Sequence, residues 1–480
     1  MASCPNDSGT IETPAPADPG SPNHGARAAD APAPPVSFAQ ATRAWLTIGL
    51  LSFGGPIGQI AVMHRIVVDE RRWISERRFS HGLNFCMLLP GPEAMQLATY
   101  IGWLMHRTLG GIVAGLLFVM PGALVMLGLS IAYVTARDVP AIAGLFWGLK
   151  PAVLAIVGVS MYRLGRRTLR GPAHVAIALA ALILVGLLGT PFPLIIALAG
   201  VAGSAARLGA SPGPGGGSAA GPTESRRVVD DAIERGALPH TRPSARRAVA
   251  CLAIGAMLTL APVLVLVLTR GADDHFARQG AFYARASVMT FGGAYAVLSY
   301  VAQYTVSTRA WLSTSEMMDG LGLAETTPGP LILVVQFTAF VAAHHHAPGI
   351  HPIAAGTLAS LLVLWVTFVP SFTFVLAGGP YVERLLHVRW LAGALAGVTA
   401  AVVGIILHLA LTFGAHTLFA GSTSLSAGAV HLRVPVLSTF DLAAGCLAVV
   451  SVVVLVIWKR STLIVIAGAA LAGAAMQVVR

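Results

Sequence analysis

Charge is what this sequence of 480 residues has least of. Only 11% of it is Asp, Glu, Lys or Arg, where a soluble domain carries about 25%. With 55% hydrophobic residues and a mean hydropathy of +0.75, that deficit excludes a soluble globular chain. It indicates an all-α, polytopic protein of the lipid bilayer, with several apolar stretches long enough to cross. Lysine is almost missing: Lys150 and Lys459 are the only two. The net charge of +11 therefore rests on arginine. No basic patch interleaves with aromatics, so the charge reads as loop charge facing the cytoplasm, and no nucleic-acid partner is expected. Cysteine is scarce, and Cys4, Cys86, Cys251 and Cys446 are scattered without disulfide or metal-ligand spacing. No Gly-x-Gly-x-x-Gly loop, haem-ligand pattern or cysteine cluster is present, so no cofactor or metal is expected and an electron-transferring enzyme is disfavoured.

What the chain does have is breaks inside apolar sequence. Phe53-Gly54-Gly55-Pro56 and Leu89-Pro90-Gly91-Pro92-Glu93 interrupt stretches of membrane character. Proline lacks the amide donor a continuous helix needs, and glycine frees the backbone. Broken backbone at membrane depth persists only where protein or a watery cavity satisfies its polar groups. Both breaks recur 238 residues later, as Phe291-Gly292-Gly293 and Pro328-Gly329-Pro330, and Trp73 and Ser75 return at the same offset as Trp311 and Ser313. Shared motifs at one offset indicate a duplicated chain.

Taken in order, residues 1–36 lack any apolar run and read as a disordered tail rather than a signal peptide. Residues 37–206 form the first repeat. Each flank of its breaks is short for a crossing, so each break is the tip of a re-entrant hairpin or a kink in a span. Residues 67–81 read as an interfacial segment with Trp73 at headgroup level. Residues 109–134 (with a kink expected at Pro121), 140–162, 173–189 and 191–206 read as spans, the last two short. Residues 207–247 form a Gly/Pro-rich, then charged, linker. Residues 248–480 hold one extra span and the second repeat, in which Pro370 matches Pro121 at an offset of 249. His344, His345, His346 and His351 fall in the added length and read as a loop outside the membrane more readily than as a metal site.

Arginine orients the halves. Arg65, Arg71, Arg72, Arg77 and Arg78 lie between the breaks of half one, and the matching stretch of half two has Arg309 alone. Half two instead carries Arg384 and Arg389 where half one has Arg137. The bias swaps sides, as an inverted repeat requires, and the extra span supplies the odd crossing. With the linker in the cytoplasm, half one's breaks enter from that side and half two's from the other.

Inverted repeats with interrupted helices characterise secondary transporters, whose substrate sits near the midplane where breaks meet. Half-helices beginning at a break aim free N–H groups and a partial positive charge at it, which favours an anion. The candidate substrate-binding residues are Gly54, Gly55, Pro56, Gln59, Pro90, Gly91, Pro92 and Gln96 in half one and Gly292, Gly293, Pro328, Gly329 and Pro330 in half two. Lys150, mid-span, is either a counter-charge for the substrate or a side chain that snorkels or pairs with Glu93. Glu93 and Glu325 lie beside the two Pro-Gly-Pro tips and are candidates to carry protons, against a capping role for Glu93. Gln96 and Gln336 can hydrogen-bond an oxyanion or tie helices together. Tyr100 and Trp103 read as packing.

Phe53-Gly54-Gly55-Pro56, Gln59-Ile60-Ala61, Pro90-Gly91-Pro92-Glu93-Ala94-Met95-Gln96-Leu97-Ala98 and Tyr100-Ile101-Gly102-Trp103 together resemble the chromate ion transporter family in its long, two-domain form, over residues 40–480. The second half keeps Gly292-Gly293 and Pro328-Gly329-Pro330 without the neighbouring Pro, Glu and Gln. The resemblance implies efflux of chromate, or of a related oxyanion such as sulfate, driven by the proton gradient across a bacterial inner membrane and conferring chromate resistance. It leaves a homo-oligomer open. A membrane enzyme that reduces chromate is the contrasting expectation, and the missing cofactor motifs weigh against it.

Overall fold

The structure, a computed structural model, describes residues 36–137, 139–208, 229–230, 238–289, 291, 294–382, 384, 388–427 and 430–479. The N-terminal tail up to Pro35, the glycine-rich part of the linker, and Gly292 and Gly293 lie outside these residues.

Half one is built from α1 (Phe38–Leu51), α2 (Gly55–His64, continued by a π-helical turn Arg65–Glu70), α3 (Glu76–Leu88), α4 (Glu93–Ala136), α5 (Pro140–Thr168), α6 (Pro172–Gly186) and α7 (Phe192–Ala205). Then α8 (Ala245–Arg270) stands alone. Half two repeats the pattern as α9 (His275–Val288), α10 (Ala294–Ala302, continued by a π-helical turn Gln303–Thr308), α11 (Thr314–Thr326), α12 (Val334–His346), α13 (Pro352–Gly378), α14 (Arg389–Leu418), α15 (Leu442–Val456) and α16 (Thr462–Val479). The duplication is kept in detail. Both π-helical turns and both of α3 and α11 sit at the 238-residue offset, and Ser75 and Ser313 each cap the following helix through their hydroxyls. Such a cap contributes about 1 kcal/mol. An antiparallel pair of strands, β1 (Ser422–Ala427) and β2 (Val430–Pro435), was not expected from the sequence and joins α14 to α15.

Contacts at the helix ends decide between hairpins and kinked spans. Ser75 at the start of α3 donates its N–H to Asp230 of the linker (2.8 Å), and Arg78 pairs with the same carboxylate. The first stretch of α4 ends with the Trp103 carbonyl bonded to His240 of the linker (3.0 Å). Both ends of this pair of helices therefore lie on the linker face, and Gly82 of α3 packs on Leu97 and Tyr100 of α4. This is a re-entrant hairpin with Pro90-Gly91-Pro92 at its tip. The α1–α2 pair opens on the same face, since His106 bonds the Val36 carbonyl (2.9 Å) and the Trp73 carbonyl accepts from Val229 of the linker (3.1 Å). In half two the α9 start, the α11 start and the α12 end gather on the opposite face: His275 lies 5.0 Å from Trp311, His346 bonds the Trp311 carbonyl (3.2 Å), and His345 bonds Glu316 (3.0 Å).

Among the described residues, five helices are long and apolar enough to cross: α4, α5, α8, α13 and α14. In α4 the crossing stretch begins after His106 and Arg107, where the backbone leaves helical geometry. Half one contains two such spans, α4 and α5, so it starts and finishes on the linker face. The α6–α7 pair adds either two short crossings or none and leaves that parity unchanged. The single span α8 then delivers half two to the opposite face. The repeat is thus inverted.

The halves interlock reciprocally. Helix α5 crosses α16 where a Cβ on Gly148 would lie 2.1 Å from the Ala469 carbonyl, and α14 crosses α7 where a Cβ on Gly397 would lie 2.2 Å from the Ala199 carbonyl. Backbones meet at both crossings, a contact only glycine permits and one that membrane helices use in place of apolar burial.

Two expectations need correction. Trp73 is 6% exposed and Trp311 7%, so neither is an interfacial anchor; Val229 of the linker bonds over the first and the histidines of half two close over the second. A backbone departure that was not expected comes at His106 and Arg107, before the span that holds Pro121. His344, His345 and His346 finish helix α12 instead of forming a loop.

Candidate functional site

The tip of each α3-type hairpin is held by the other half. The Gly329 N–H donates to the Ser52 carbonyl (2.8 Å), and buried Gln59 donates its side-chain N–H to the Gly329 carbonyl (2.6 Å). Both polar groups of the half-two tip glycine, itself left-handed with φ +85°, are thereby satisfied by the first break of half one. The Pro328 carbonyl rests on Gly122 of α4, where an added Cβ would lie 2.0 Å away. The half-one tip is placed the same way. Gly91 sits against Ser371 of α13, the residue that matches Gly122 at the 249 offset, with a virtual Cβ 2.5 Å from its hydroxyl.

Around these tips, Gln96 donates to the Pro90 carbonyl (2.7 Å) and Gln336 to the Ala123 carbonyl (3.0 Å). The Oε1 of each is buried without a partner among the described residues. An oxyanion would bond to the amide's second N–H and not to this oxygen. Gly54 and Gly55 are both left-handed, with φ +83° and +72°, and both border open space. Pro56 follows in the first turn of α2, where its missing N–H costs nothing. The α2 N-terminus thus presents free amides to an unfilled region.

The two charged candidates separate. Glu93 opens α4, directly after Pro92 at the tip. Glu325 is buried in α11 and accepts from the Tyr295 hydroxyl (2.7 Å), which Ser160 of α5 also reaches (3.3 Å). Lys150 does not pair with Glu93. Its Nζ lies 3.9 Å from Oδ1 of Asp319 on α11, and Tyr133 of α4 donates to the other oxygen of that carboxylate (3.0 Å). One turn along α11, Glu316 binds Arg137 (2.8 Å) and His345 (3.0 Å). Helix α5 therefore runs beside α11, with Lys150 at the level of Asp319 and Gly322 packed on Leu149 and Val153, while Ser160 reaches Glu325 only through the Tyr295 hydroxyl. Glu325 lies close to the tips, and Asp319 and Glu316 lie successively nearer the face opposite the linker.

Sequence reasoning missed Asp319, Tyr133 and Glu316. The available signal was the capping pair Ser313-x-x-Glu316, which starts a helix and so places Asp319 one turn inside it, in apolar surroundings.

Two crevices of the surface, about 640 and 490 Å³, are lined mostly by apolar side chains, with Arg285 bordering the first. They suit bilayer lipid and not an anion. No group of side chains able to hold a metal ion occurs among the described residues.

Comparison with known proteins agrees with the duplication. The chain matches the chromate transporter family over residues 39–204 and again over 278–474. It is 30% identical to a chromate transport protein of Pseudomonas aeruginosa, over 78% of this chain and 80% of that one. It is 27% identical to a chromate transport protein of Cupriavidus metallidurans, over 92% and 94%. A probable chromate transport protein of Synechococcus elongatus is 26% identical over 80% and 86%. No solved structure matches. These relatives are transport proteins and not enzymes, and this chain, with its two repeats, belongs to the chromate transporter family.

Proposed function

We propose that this protein exports chromate from the bacterial cytoplasm across the inner membrane, coupled to protons, and so confers chromate resistance. The observation that carries the reading is the exchange of tips. Gln59 and Ser52 of one half clamp Gly329 of the other, so the four re-entrant hairpins converge at mid-depth from opposite faces. A site assembled from two inverted halves can open to either side when one moves against the other.

With the linker face in the cytoplasm, Arg163, Arg166 and Arg167 at the end of α5, Arg170 just beyond it, and Arg384 after α13 fall on one side, as the positive-inside rule asks. The oxyanion is bound by free amides at the starts of α2 and α4 and by the side-chain amides of Gln59 and Gln96. Gly54, Gly55, Pro56, Pro90, Gly91, Pro92, Pro328, Gly329 and Pro330, with Gly292 and Gly293, shape the backbone around it. Lys150 supplies a fixed positive charge, and Glu93 and Glu325 carry protons. Backbone amides suit any tetrahedral dianion, so sulfate is the informative competitor.

The test is chromate uptake into everted membrane vesicles, with the proton gradient intact or collapsed by an uncoupler and with sulfate present or absent. Uptake that needs the gradient supports the proposal. Uptake indifferent to the uncoupler removes proton coupling, preferential uptake of sulfate changes the substrate, and no uptake at all removes both.

A further inference from the structure

Lys150 is the only lysine within the transmembrane helices, and Asp319 already occupies the place an anion would take beside it. The carboxylate is 4% exposed. It lies 3.9 Å from the ammonium, about 1 Å longer than a charge-assisted hydrogen bond. Its Oδ1 receives no hydrogen bond among the described residues, while Oδ2 is fixed by Tyr133 (3.0 Å). A buried pair with one acceptor oxygen unfilled is poorly compensated for its desolvation. An arriving oxyanion offers Lys150 a full set of acceptor oxygens, and it leaves the carboxylate with a negative charge and no counter-ion.

We propose that Asp319 is a surrogate ligand of Lys150: the substrate oxyanion displaces it, and Asp319 takes up one proton from water as it is displaced. This rests on the reading that Lys150 meets the substrate. The step balances. An ammonium–carboxylate pair, a dianion and a proton become an ammonium–dianion pair and a neutral carboxylic acid that still accepts from Tyr133. Oxyanion and proton then bind together at this pair, each raising affinity for the other by the same factor, and the loaded site carries one net negative charge more than the empty one, so the electrical component of the proton-motive force, negative inside, drives its outward movement.

The groups acting on Asp319 are few. From α5 there is Lys150; from α4, Tyr133 and Arg137; from its own helix, Glu316. Glu316 is engaged by Arg137 and by His345 of α12. From α14, Thr417, next to His416, packs on Met318. Helix α16, also against α11, bears no titratable residue. Arg137 is thus tied by Glu316, and Lys150 is the cation Asp319 neutralises.

The experiment uses the purified full-length protein in detergent and chromate as the probe. Equilibrium binding is measured at pH 6 and pH 8 for wild type, Asp319→Asn and Lys150→Ala; comparing variants at one pH cancels the titration of chromate itself. Asp319→Asn is expected to bind chromate about tenfold more tightly than wild type at pH 8, within the usual range of site coupling, and about as tightly at pH 6. In weak buffer, chromate added to wild type should draw close to one proton per site from solution beyond a Lys150→Ala baseline, and Asp319→Asn should draw none. Equal or weaker binding by Asp319→Asn at pH 8 overturns the proposal, and so does wild-type binding without proton uptake, which decides the matter even if Asp319→Asn does not fold. Undiminished binding by Lys150→Ala instead removes Lys150 from the site and leaves chromate transport standing. An absence of chromate binding by wild type overturns the transport reading itself.

Discussion

Replacing Gln59 by Leu tests whether the clamp on Gly329 is the hinge of the site. The side chain is 2% exposed and its N–H lies 2.6 Å from the Gly329 carbonyl. Leucine keeps roughly the volume and removes the donor. The carbonyl is then stranded at membrane depth, which costs about 1–3 kcal/mol. If that cost falls wholly on the assembled site, the transport-competent population drops by about 5- to 150-fold. The control is Gln279→Leu. Gln279 of α9 is equally buried and donates to the Ala339 carbonyl (3.3 Å), away from the tips. Both variants should lower the thermal midpoint of the purified protein by similar amounts. Only Gln59→Leu should also lose chromate uptake into everted vesicles, normalised to protein inserted. Uptake equal to the control would refute the clamp, because it would show that the Gln59 bond serves stability alone.

Lys150→Ala should abolish chromate uptake while leaving insertion intact, as read by protein content of the vesicles and by elution as a single species. Gly122→Val drives a branched side chain into the Pro328 carbonyl, 2.0 Å from the virtual Cβ, and should reduce uptake at least as far as Gln59→Leu; the same change at Gly128, which borders open space, should not. Gly148→Ala places a methyl group against the Ala469 carbonyl and should lower the thermal midpoint, with Gly397→Ala giving a matching loss at the reciprocal crossing. His240, outside the spans, is held below its ordinary pKa mainly by burial. The undocked linker therefore binds protons more readily than the docked one, and docking weakens as pH falls through the ordinary histidine range, near about 6.5. Limited proteolysis near residues 238–247 should accelerate from pH 7.5 to pH 5.5 in wild type, and its pH dependence should shrink in His240→Gln.

The breaks and the duplication were legible because glycine and proline punctuate sequence and because the offset of 238 survived in Trp73, Ser75 and both tips. The inversion was legible because arginine bias reports sidedness independently of fold. The exchange of tips was not. A hairpin tip lodged against the opposite half leaves only small residues at the contact, Gly122 and Ser371, and small residues are common in membrane helices for many reasons. Trp73 was misplaced for a related cause: tryptophan near arginines favours a headgroup position until a distant segment, here Val229 and Asp230, covers it. The partner of Lys150 was misassigned because Glu93 was the conspicuous acid, beside a break, whereas Asp319 lay between the half-two breaks, where no acid had been singled out. The strands over 422–435 carry a period-two pattern in Ser-Thr-Ser-Leu-Ser that was passed over.

The scaffold is duplicated, but the charges are not, and this asymmetry bears on the site. At the 238 offset, Glu316, Asp319 and Glu325 correspond to Arg78, His81 and Met87, and at the 249 offset Lys150 corresponds to Thr399. Tips, π-helical turns, caps and glycine crossings have all been kept in both halves, as the proposed movement of one half against the other would require. The pairing of a membrane-embedded lysine with a buried acid lies along α5 against α11 and has no counterpart at the matching positions of the other half. Two symmetric sets of buried charge would double the desolvation cost and would place a competing cation at an equivalent depth on the other side of the tips. On the proposed reading, an anion entering from the linker face would meet Gln59, Gln96 and the helix amides first, and Lys150 and then Arg137 beyond them toward the opposite face. Each of these cations is held by an acid of α11. On the proposed reading, a shape that alternates between two states needs both halves, whereas the charge that recognises an anion is needed only once, and the α5–α11 interface is where the halves differ in charge.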